Sequence, residues 1–575
     1  MSEVQVKTER VDDIPLLIKQ QQEMGMSEII DRHISRHGLR QGLSAGKIVE
    51  GWLSHILSQS DHRLSVVEDW AGHHQTTLSH LLGEEVEAKD FTDDRLGDIL
   101  IWLSDDETWE SIEQDLAGQT IDVYQLEVKT IRLDTTTISM HHQSEGSDLV
   151  AHGHSKDYRP DLAQVKTMLG TLDPMALPIV TQVVSGNTAD DGLYKPAIES
   201  VQACLQQKEV IYVGDSKMEA LETRAHCAQT GDYYLHPLSQ KGKQSDLLTE
   251  WVKHIFDNDI KLTDIYAPQI EGEPEKKLLA QAWETSRVLQ SVVSDQTVDW
   301  SERLLVVYSP TLAQAGYRSF DKRLRQAEAE LMALTPEPGR GRRQWRELAP
   351  LEAEAKKILS RYRLTRCFNI TYQRHETQRK IRAYKDRPAR TETSVRYQIT
   401  LERNEEAIKA NYRLIGWRLF ATNAPSHRLA LSQAVLLYRG SAPTIERLFA
   451  RLKGKPLHMK PVFVRRDEAL IGLARLLSLA LRLLTMIEFV VRRSLQDLEQ
   501  TLAGLVPGNP KMATASPTTE RILRAFNEVT LSIIDLGSQT IRHLTPLNSV
   551  QHRILLLLKF NHSLYSDLAN LPISV

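Results

Sequence analysis

Two aspartates stand where strand-like segments give way to turns. Asp134 closes the β-rich run VKTIRLDTT, and Asp215 closes the short apolar run EVIYVGDS. A single aspartate in such a place ordinarily makes a turn or caps a helix. Two on neighbouring strands of one sheet point at a shared spot, and carboxylate oxygens are the hard ligands that Mg2+ or Mn2+ prefer. A third carboxylate is expected from a helix crossing the same edge, and SAPTIERLFARLKGKP supplies it. Pro443 suits a first helical turn, while Leu448, Phe449 and Leu452 make a buried stripe. Glu446 and Lys453 are seven apart, hence on one face and roughly 10 Å apart along the axis. Three carboxylates crowded without metal repel one another and raise their pKa values, so such a site is metal-dependent.

The elements that position these residues follow from periodicity. Residues 1–127 read as a helical N-terminal domain, with Ser44 as a helix cap before the stripe Ile48, Val49, Trp52, Leu53, Ile56 and Leu57. Strands then follow: the Asp134 run, QVKTMLGTL and PIVTQVVSG, with Asp173 and Pro174 as the turn between the last two. A helical stretch over 192–206 leads into the Asp215 strand, whose unbroken apolar character predicts burial on both faces. The order β-β-β-α-β, with carboxylates at the ends of the first and fourth strands, is that of the ribonuclease H-like fold.

Past Leu235 the sheet pattern lapses for longer than a connecting loop needs. A helical hairpin (Phe320, Leu324, Ala327 and Leu331, then Leu348, Ala355 and Ile358) and two arginine-rich strands occupy that stretch. The expected class is therefore α/β. A ribonuclease H-like mixed-sheet catalytic core spans 128–240 and 415–495, interrupted by a large α+β insertion over 241–414. Helical N- and C-terminal regions flank it, the latter over 496–575 and suited to oligomerisation. GWRLFATN marks the return to the main sheet.

Composition bounds the class. The 41% apolar and 25% charged fractions are those of an ordinary globular chain, and 575 residues exceed one core. Cys204, Cys227 and Cys367 are odd in number and form no CxxC pair, which fits a reducing cytoplasm and excludes a cysteine zinc site. The N-terminus is too charged for a signal peptide. The run 469–491 is the most membrane-like, yet it carries Arg475, Arg482 and Glu488 and is read as a core helix, so no membrane partner is expected. Net charge is −4, but it is unevenly spread: residues 84–115 sum to −11, 361–403 to +8 and 439–466 to +7. Two basic stretches, one surrounding a lone glutamate, suit a bound polyanion beside a metal site.

The triple LDTT, VGDS and IERLFARLK resembles the DDE motif of bacterial insertion-sequence transposases, in the branch with a large insertion between the second Asp and the Glu (the IS-four superfamily). That branch ends in a Y-x2-R-x3-E-x6-K signature. Glu446 and Lys453 keep its E-x6-K part, whereas Tyr438 and Arg439 are adjacent and lie eight and seven residues before the Glu. HGHSKDYRPDLAQV (152–165), VSGNTADD (184–191) and the C-terminal PTTERILRAF and TPLNSVQHRILLLL extend the resemblance over most of the chain. It implies a cut-and-paste DNA transposase with Asp134, Asp215 and Glu446 as catalytic metal ligands for two Mg2+ or Mn2+ ions about 4 Å apart. Water first cleaves at the element's end, and the freed 3′-hydroxyl then attacks target DNA. The implied partners are the terminal inverted repeats, target DNA and a second copy of the chain on paired ends, in a nucleoid-associated cytoplasmic protein. DNA contacts are expected from Lys453, Arg439, Tyr438, Lys156, Arg159, Arg447 and Arg451.

Other assignments of the same residues carry less. His141, His142, His152 and His154 lie near Asp134 in sequence, but without cysteines or an HExxH helix they make a poor zinc site. Asp157, Asp161, Asp190 and Asp191 read as turn and cap residues. The alternatives to a transposase are a catalytically inactive transposase-derived DNA-binding protein and a ribonuclease H-like nuclease.

Overall fold

The computed structural model describes residues 5–34, 41–141, 146–268, 277–293, 295–383, 388–440, 442–536 and 539–570. QVKTER forms β1 (Gln5–Arg10), which pairs antiparallel with a strand at Thr530–Asp535, itself paired with Thr540–Leu544. The two terminal regions, expected to be helical throughout, thus share a three-stranded sheet. Helices fill most of the rest of the N-terminal region, and the Ser44 side chain caps the helix Ala45–Gln59 as the sequence predicts. The C-terminal region, expected to be helical, has beyond Asp497 only the short helices Thr519–Arg524, Ser549–Leu558 and Ser563–Ser566 among its described residues and is otherwise strand and loop.

The main sheet is mixed. β-Branched residues dominate β2 (Thr130–Ser139), which forms an antiparallel meander with β3 (Gln164–Leu172) and β4 (Leu177–Ser185). β5 (Ile211–Val213) and β6 (Tyr233–Pro237) add in parallel on the other side of β2, and β5 is buried along its whole length. The helix Tyr194–Leu205 connects β4 to β5.

The segment expected as one self-contained insertion divides in two. β7 (Thr263–Tyr266), β8 (Leu278–Val293) and β9 (Gln296–Tyr308) extend the main sheet, whereas β10 (Phe368–Ile381) and β11 (Arg390–Arg403) form a separate ribbon. That ribbon packs with the helices Pro310–Ala333 and Leu348–Tyr362 around Phe320, Leu324, Ile358 and Leu359. β12 (Trp417–Thr422) returns between β6 and β9, completing the order β4-β3-β2-β5-β6-β12-β9-β8-β7. The fold is mixed α/β, with one nine-stranded sheet and many helices.

A 31-residue helix, Asp467–Asp497, packs under the sheet and against the N-terminal helices. It is long and apolar enough to cross a membrane, but its apolar stretch lies almost wholly inside the protein. Gly472 lets it approach the helix Asp93–Ser104 closely, since a Cβ there would fall 2.0 Å from the Leu100 carbonyl oxygen. Its buried charged residues are paired. Arg475 donates to the Leu103 carbonyl at 2.9 Å, and Arg482 donates to Glu113 Oε1 at 2.9 Å and to the Ile179 carbonyl at 2.8 Å. Glu488 accepts from Arg447, Arg451 and Arg492.

Two stability measurements follow. Arg482→Ala leaves Glu113 buried without its partner and is expected to cost about 3–5 kcal/mol in urea unfolding, whereas replacing both residues by apolar ones of similar volume restores much of the loss. Glu50 is buried, and burial, with Glu28 adding, pushes its carboxyl up to about 8. A raised folded-state pKa stabilises the fold fully below the ordinary value of 4.5, and that contribution is lost as pH rises toward 8. Glu50→Gln is therefore expected to flatten the fall of Tm between pH 5 and pH 8; an identical profile in both proteins would refute this.

Candidate catalytic site

β2 and β5 pair in parallel through Thr130↔Ile211, Ile131↔Tyr212 and Arg132↔Val213. Asp134 and Asp215 each lie two residues past the last of these pairs (134 − 132 = 215 − 213 = 2). Asp215 lies just past β5 with extended backbone angles and caps the short helical turn Ser216–Glu219. Asp134 instead lies within β2, which runs on to Ser139 and does not end at the aspartate as expected. Both sit beyond the same end of the parallel pairing. Close placement shows electrostatically as well. Burial raises the Asp134 pKa against the pull of Lys156 and the Thr135 N–H, and the Asp215 charge raises it further.

Each carboxylate has its own support. Tyr194 donates its hydroxyl to Asp215 Oδ1 at 2.7 Å, and the Lys217 backbone N–H reaches the same oxygen at 2.8 Å. Gly214 makes this possible, because a Cβ there would sit 2.7 Å from the Tyr194 ring and 2.8 Å from Met218 Sδ. Burial, with the Asp215 and Asp134 charges, holds the Tyr194 phenol well above its usual pKa, so it remains a donor. Asp134 Oδ1 accepts from the Thr135 N–H at 2.7 Å and lies 3.5 Å from Lys156 Nζ.

Lys156 is held by the Thr135 carbonyl at 2.6 Å and the Thr135 hydroxyl at 2.5 Å, and Asp190 Oδ2 is 3.9 Å away. Asp190 in turn accepts from Lys166 at 2.5 Å. Burial would raise its pKa, but the Lys166 hydrogen bond and the charges of Lys156, Lys166 and Lys217 keep it low. The SKD-RPDL loop is thus tied across the sheet edge by alternating charges.

The helix Ala442–Lys453 places Ile445, Leu448, Phe449 and Leu452 in the core, as the apolar stripe predicts. Lys453 donates to Asp157 Oδ1 at 2.8 Å, while Lys460 and the Ser139 hydroxyl bond Asp157 Oδ2, so this helix end is fastened to the end of β2. Burial works against the Asp157 charge, but the two lysines outweigh it and hold its pKa low. Asp157 is therefore the anchor of Lys453.

Glu446 does not join the aspartates in this structure. It is exposed, its side chain has no hydrogen bond or ion pair among the described residues, and no group of three acidic, His or Cys side chains among them converges to hold an ion. The physical reason is helical register. The buried stripe and the Lys453–Asp157 pair fix the helix's rotation, and Glu446 falls on the flank of that stripe, open to solvent.

The expected DNA contacts separate in the same way. Arg451 is only 4% exposed and is bonded to both Glu488 and Glu520 at 2.6 Å, and Arg447 pairs with Glu488 at 2.7 Å. These two arginines neutralise the buried Glu488 of the long helix and are not a free cationic surface. Arg159 is bound to Asp161 at 2.6 Å in an exposed pair. Arg439 donates to the Leu279 carbonyl at 2.9 Å. Tyr438 stands beside the carboxylates with its ring edge-on to Phe420, and burial, with Asp215 and Asp134 adding, raises its phenol pKa against Arg418. His142 lies outside the described residues.

Residues 6–114, under a fifth of the chain, match a family described as a domain of unknown function (DUF4277). No curated protein matches the chain. Among solved structures it is similar to a piggyBac transposase synaptic complex with hairpin DNA, at 8% identity and a TM-score of 0.33, over 99% of this chain and 88% of that one. A likeness so slight identifies neither fold nor activity.

Several residues of the site escaped the sequence reading. Tyr194 lies in a helix start with no motif of its own, and Asp190 reads as an ordinary turn residue. Lys217, Lys241, Arg363 and Arg418 come from four segments and meet only in the folded chain, in a cleft beginning at Asp215. Lys217, directly after VGDS, was the one with a local signal.

Lys156→Met removes the cation that opposes the rise of the Asp134 pKa. The Asp134 carboxyl, followed by carbon NMR on aspartate-labelled protein, is expected to titrate at still higher pH in the variant. An unchanged titration would mean that Lys156 does not govern this carboxylate.

Proposed function

We propose that the chain is a DNA transposase of the DDE type, cutting the ends of its own mobile element and joining them to target DNA. One observation carries this reading: Asp134 and Asp215 each lie two residues beyond the last pair of the parallel β2–β5 ladder and interact electrostatically. An antiparallel β4-β3-β2 meander continued by parallel β5 and β6 agrees with a ribonuclease H-like core. The basic ribbon β10–β11, largely exposed and about 46 Å long for 14 residues a strand, supports a nucleic-acid partner. So do the sequence motifs around the two aspartates and Glu446.

The donor set fits hard divalent cations. Mg2+ is usually held by one or two carboxylates plus water and substrate oxygens, and Asp134 and Asp215 supply two adjacent carboxylates. When bound, a pair of such ions activates an oxygen nucleophile and stabilises the leaving oxygen. The chain's own residues do the rest. Tyr194 and the Lys217 N–H orient Asp215, leaving Oδ2 available, and Lys156 offsets the Asp134 charge before metal enters. In this reading Glu446 would be the third carboxylate to hold the ions, which requires its helix to move toward the pair on DNA, and Lys453 marks the DNA side of that helix. The active form on paired ends is a homodimer.

A second reading, a catalytically inactive transposase-derived DNA-binding protein, is favoured by the exposure of Glu446.

Asp134→Ala, Asp215→Ala and Glu446→Ala are each expected to reduce Mg2+- or Mn2+-dependent cleavage at the element's ends to background while end binding persists, because a two-ion site missing one ligand loses its alignment with the scissile phosphate. Asp157→Ala, which loosens the Lys453, Lys460 and Ser139 contacts without touching the aspartate pair, is expected to keep measurable cleavage. Wild-type protein that binds ends but never cuts with either metal would establish the second reading. A Glu446→Ala protein that cuts normally would exclude Glu446 as a ligand.

A further inference from the structure

A cleft of about 590 Å3 opens beside Asp215. Lys217 follows β5, Lys241 follows β6, Arg418 lies on β12, and Arg363 follows the helix Leu348–Tyr362. All four are exposed, and their side chains make no hydrogen bond or ion pair among the described residues. The two acids in the lining are Asp215 and Glu219, and Glu219 already accepts the Ser239 N–H at 2.7 Å. Four cations against the two carboxylates leave the concavity net positive, and it attracts an anion.

We infer that this cleft seats the phosphodiester backbone of a single DNA strand leading away from the Asp134–Asp215 pair, with Lys217, Lys241, Arg363 and Arg418 as phosphate contacts. The inference rests on the reading that the protein acts on DNA, and it names the surface that carries the strand. Size favours one strand, since the volume falls within the roughly 300–1,000 Å3 of sites that enclose small ligands and holds a nucleotide or two. Tyr438 in the lining adds an aromatic side chain beside the path of the strand. Arg363 belongs to the basic run that continues in sequence into the β10–β11 ribbon, an arrangement that suits a polymer better than a lone phosphate. The insertion thereby contributes directly to the site beside Asp215.

The test is fluorescence anisotropy with a labelled oligodeoxythymidylate in EDTA, comparing wild type with the doubly substituted Lys241→Gln, Arg363→Gln protein across a salt series. Both residues are exposed, and circular dichroism checks that the variant is folded. Affinity is expected to fall about tenfold, and the slope of log K against log salt to become shallower by about 1.4, two contacts at about 0.7 each. Arg363→Lys alone is expected to keep the wild-type slope. An unchanged slope in the double variant, or wild type that does not bind the oligomer, overturns the inference. Displacement by inorganic phosphate beyond that by sulfate at equal ionic strength also overturns it, in favour of a small-phosphate site. Since the assay needs no cleavage, the outcomes separate: slope-sensitive binding by a protein that never cuts sinks only the transposase reading, whereas normal cutting with an unaltered slope sinks only the cleft.

Discussion

Three charges buried in one apolar helix constrain the whole architecture. Arg475, Arg482 and Glu488 lie on Asp467–Asp497 at 1–5% exposure, and an unpaired charge at such depth costs several kcal/mol. Each must therefore meet its partner, and the partners come from different parts of the chain. Arg475 reaches the end of the helix Asp93–Ser104, and Arg482 reaches Glu113 and the β4 carbonyl of Ile179. Glu488 gathers arginines from the Glu446 helix and is joined through Arg451 to Glu520 near the C-terminus. Satisfying these three groups brings the N-terminal helices, the sheet, the Glu446 helix and the C-terminal region together around one axis.

The carboxylate pair depends on that frame at one remove. Parallel pairing of β2 with β5 brings Asp134 and Asp215 to the same end of the sheet, but two adjacent carboxylates in a half-buried edge need compensation. Alternating lysines and aspartates provide it: Lys156 beside Asp134 and Asp190, Lys166 on Asp190, Lys453 and Lys460 on Asp157. The same Lys453–Asp157 pair, together with Arg447 and Arg451 on Glu488, fixes the rotation of the Glu446 helix. Glu446 is thereby left at the solvent flank, beside the pair's edge in sequence pattern and outside it in this structure. The charges that neutralise the frame are also what remove Arg447 and Arg451 from the expected DNA-facing surface.

Much of the fold was legible because its signals are local. The β-branched run of β2, the short apolar β5, the Asp173 and Pro174 turn and the stripe around Leu448 each depend on neighbours within about ten residues, and each forms where periodicity places it, except that β2 runs on past Asp134 to Ser139. The long apolar helix was also legible as a core helix, since its three charges made a lipid-facing surface costly. The terminal sheet was not: β1 and the strand Thr530–Asp535 are short and far apart, and neither has a pattern that distinguishes it from a loop. Likewise β8 and β9 read as part of a separate insertion because nothing in their own residues says which sheet edge they extend.

The sequence by itself determined the residue types at the candidate site, their order, and the elements on which they ride, because those follow from side-chain chemistry and helix or strand period. Tertiary structure alone decided which of them meet. The parallel β2–β5 pairing brought Asp134 and Asp215 to the same end of the sheet, long-range ion pairs turned Glu446 outward and withdrew Arg447 and Arg451, and the convergence of four separate segments made the basic cleft. Partners hundreds of residues apart are chosen by the need to neutralise buried charge and fill the core, and that need exists only once the chain is packed.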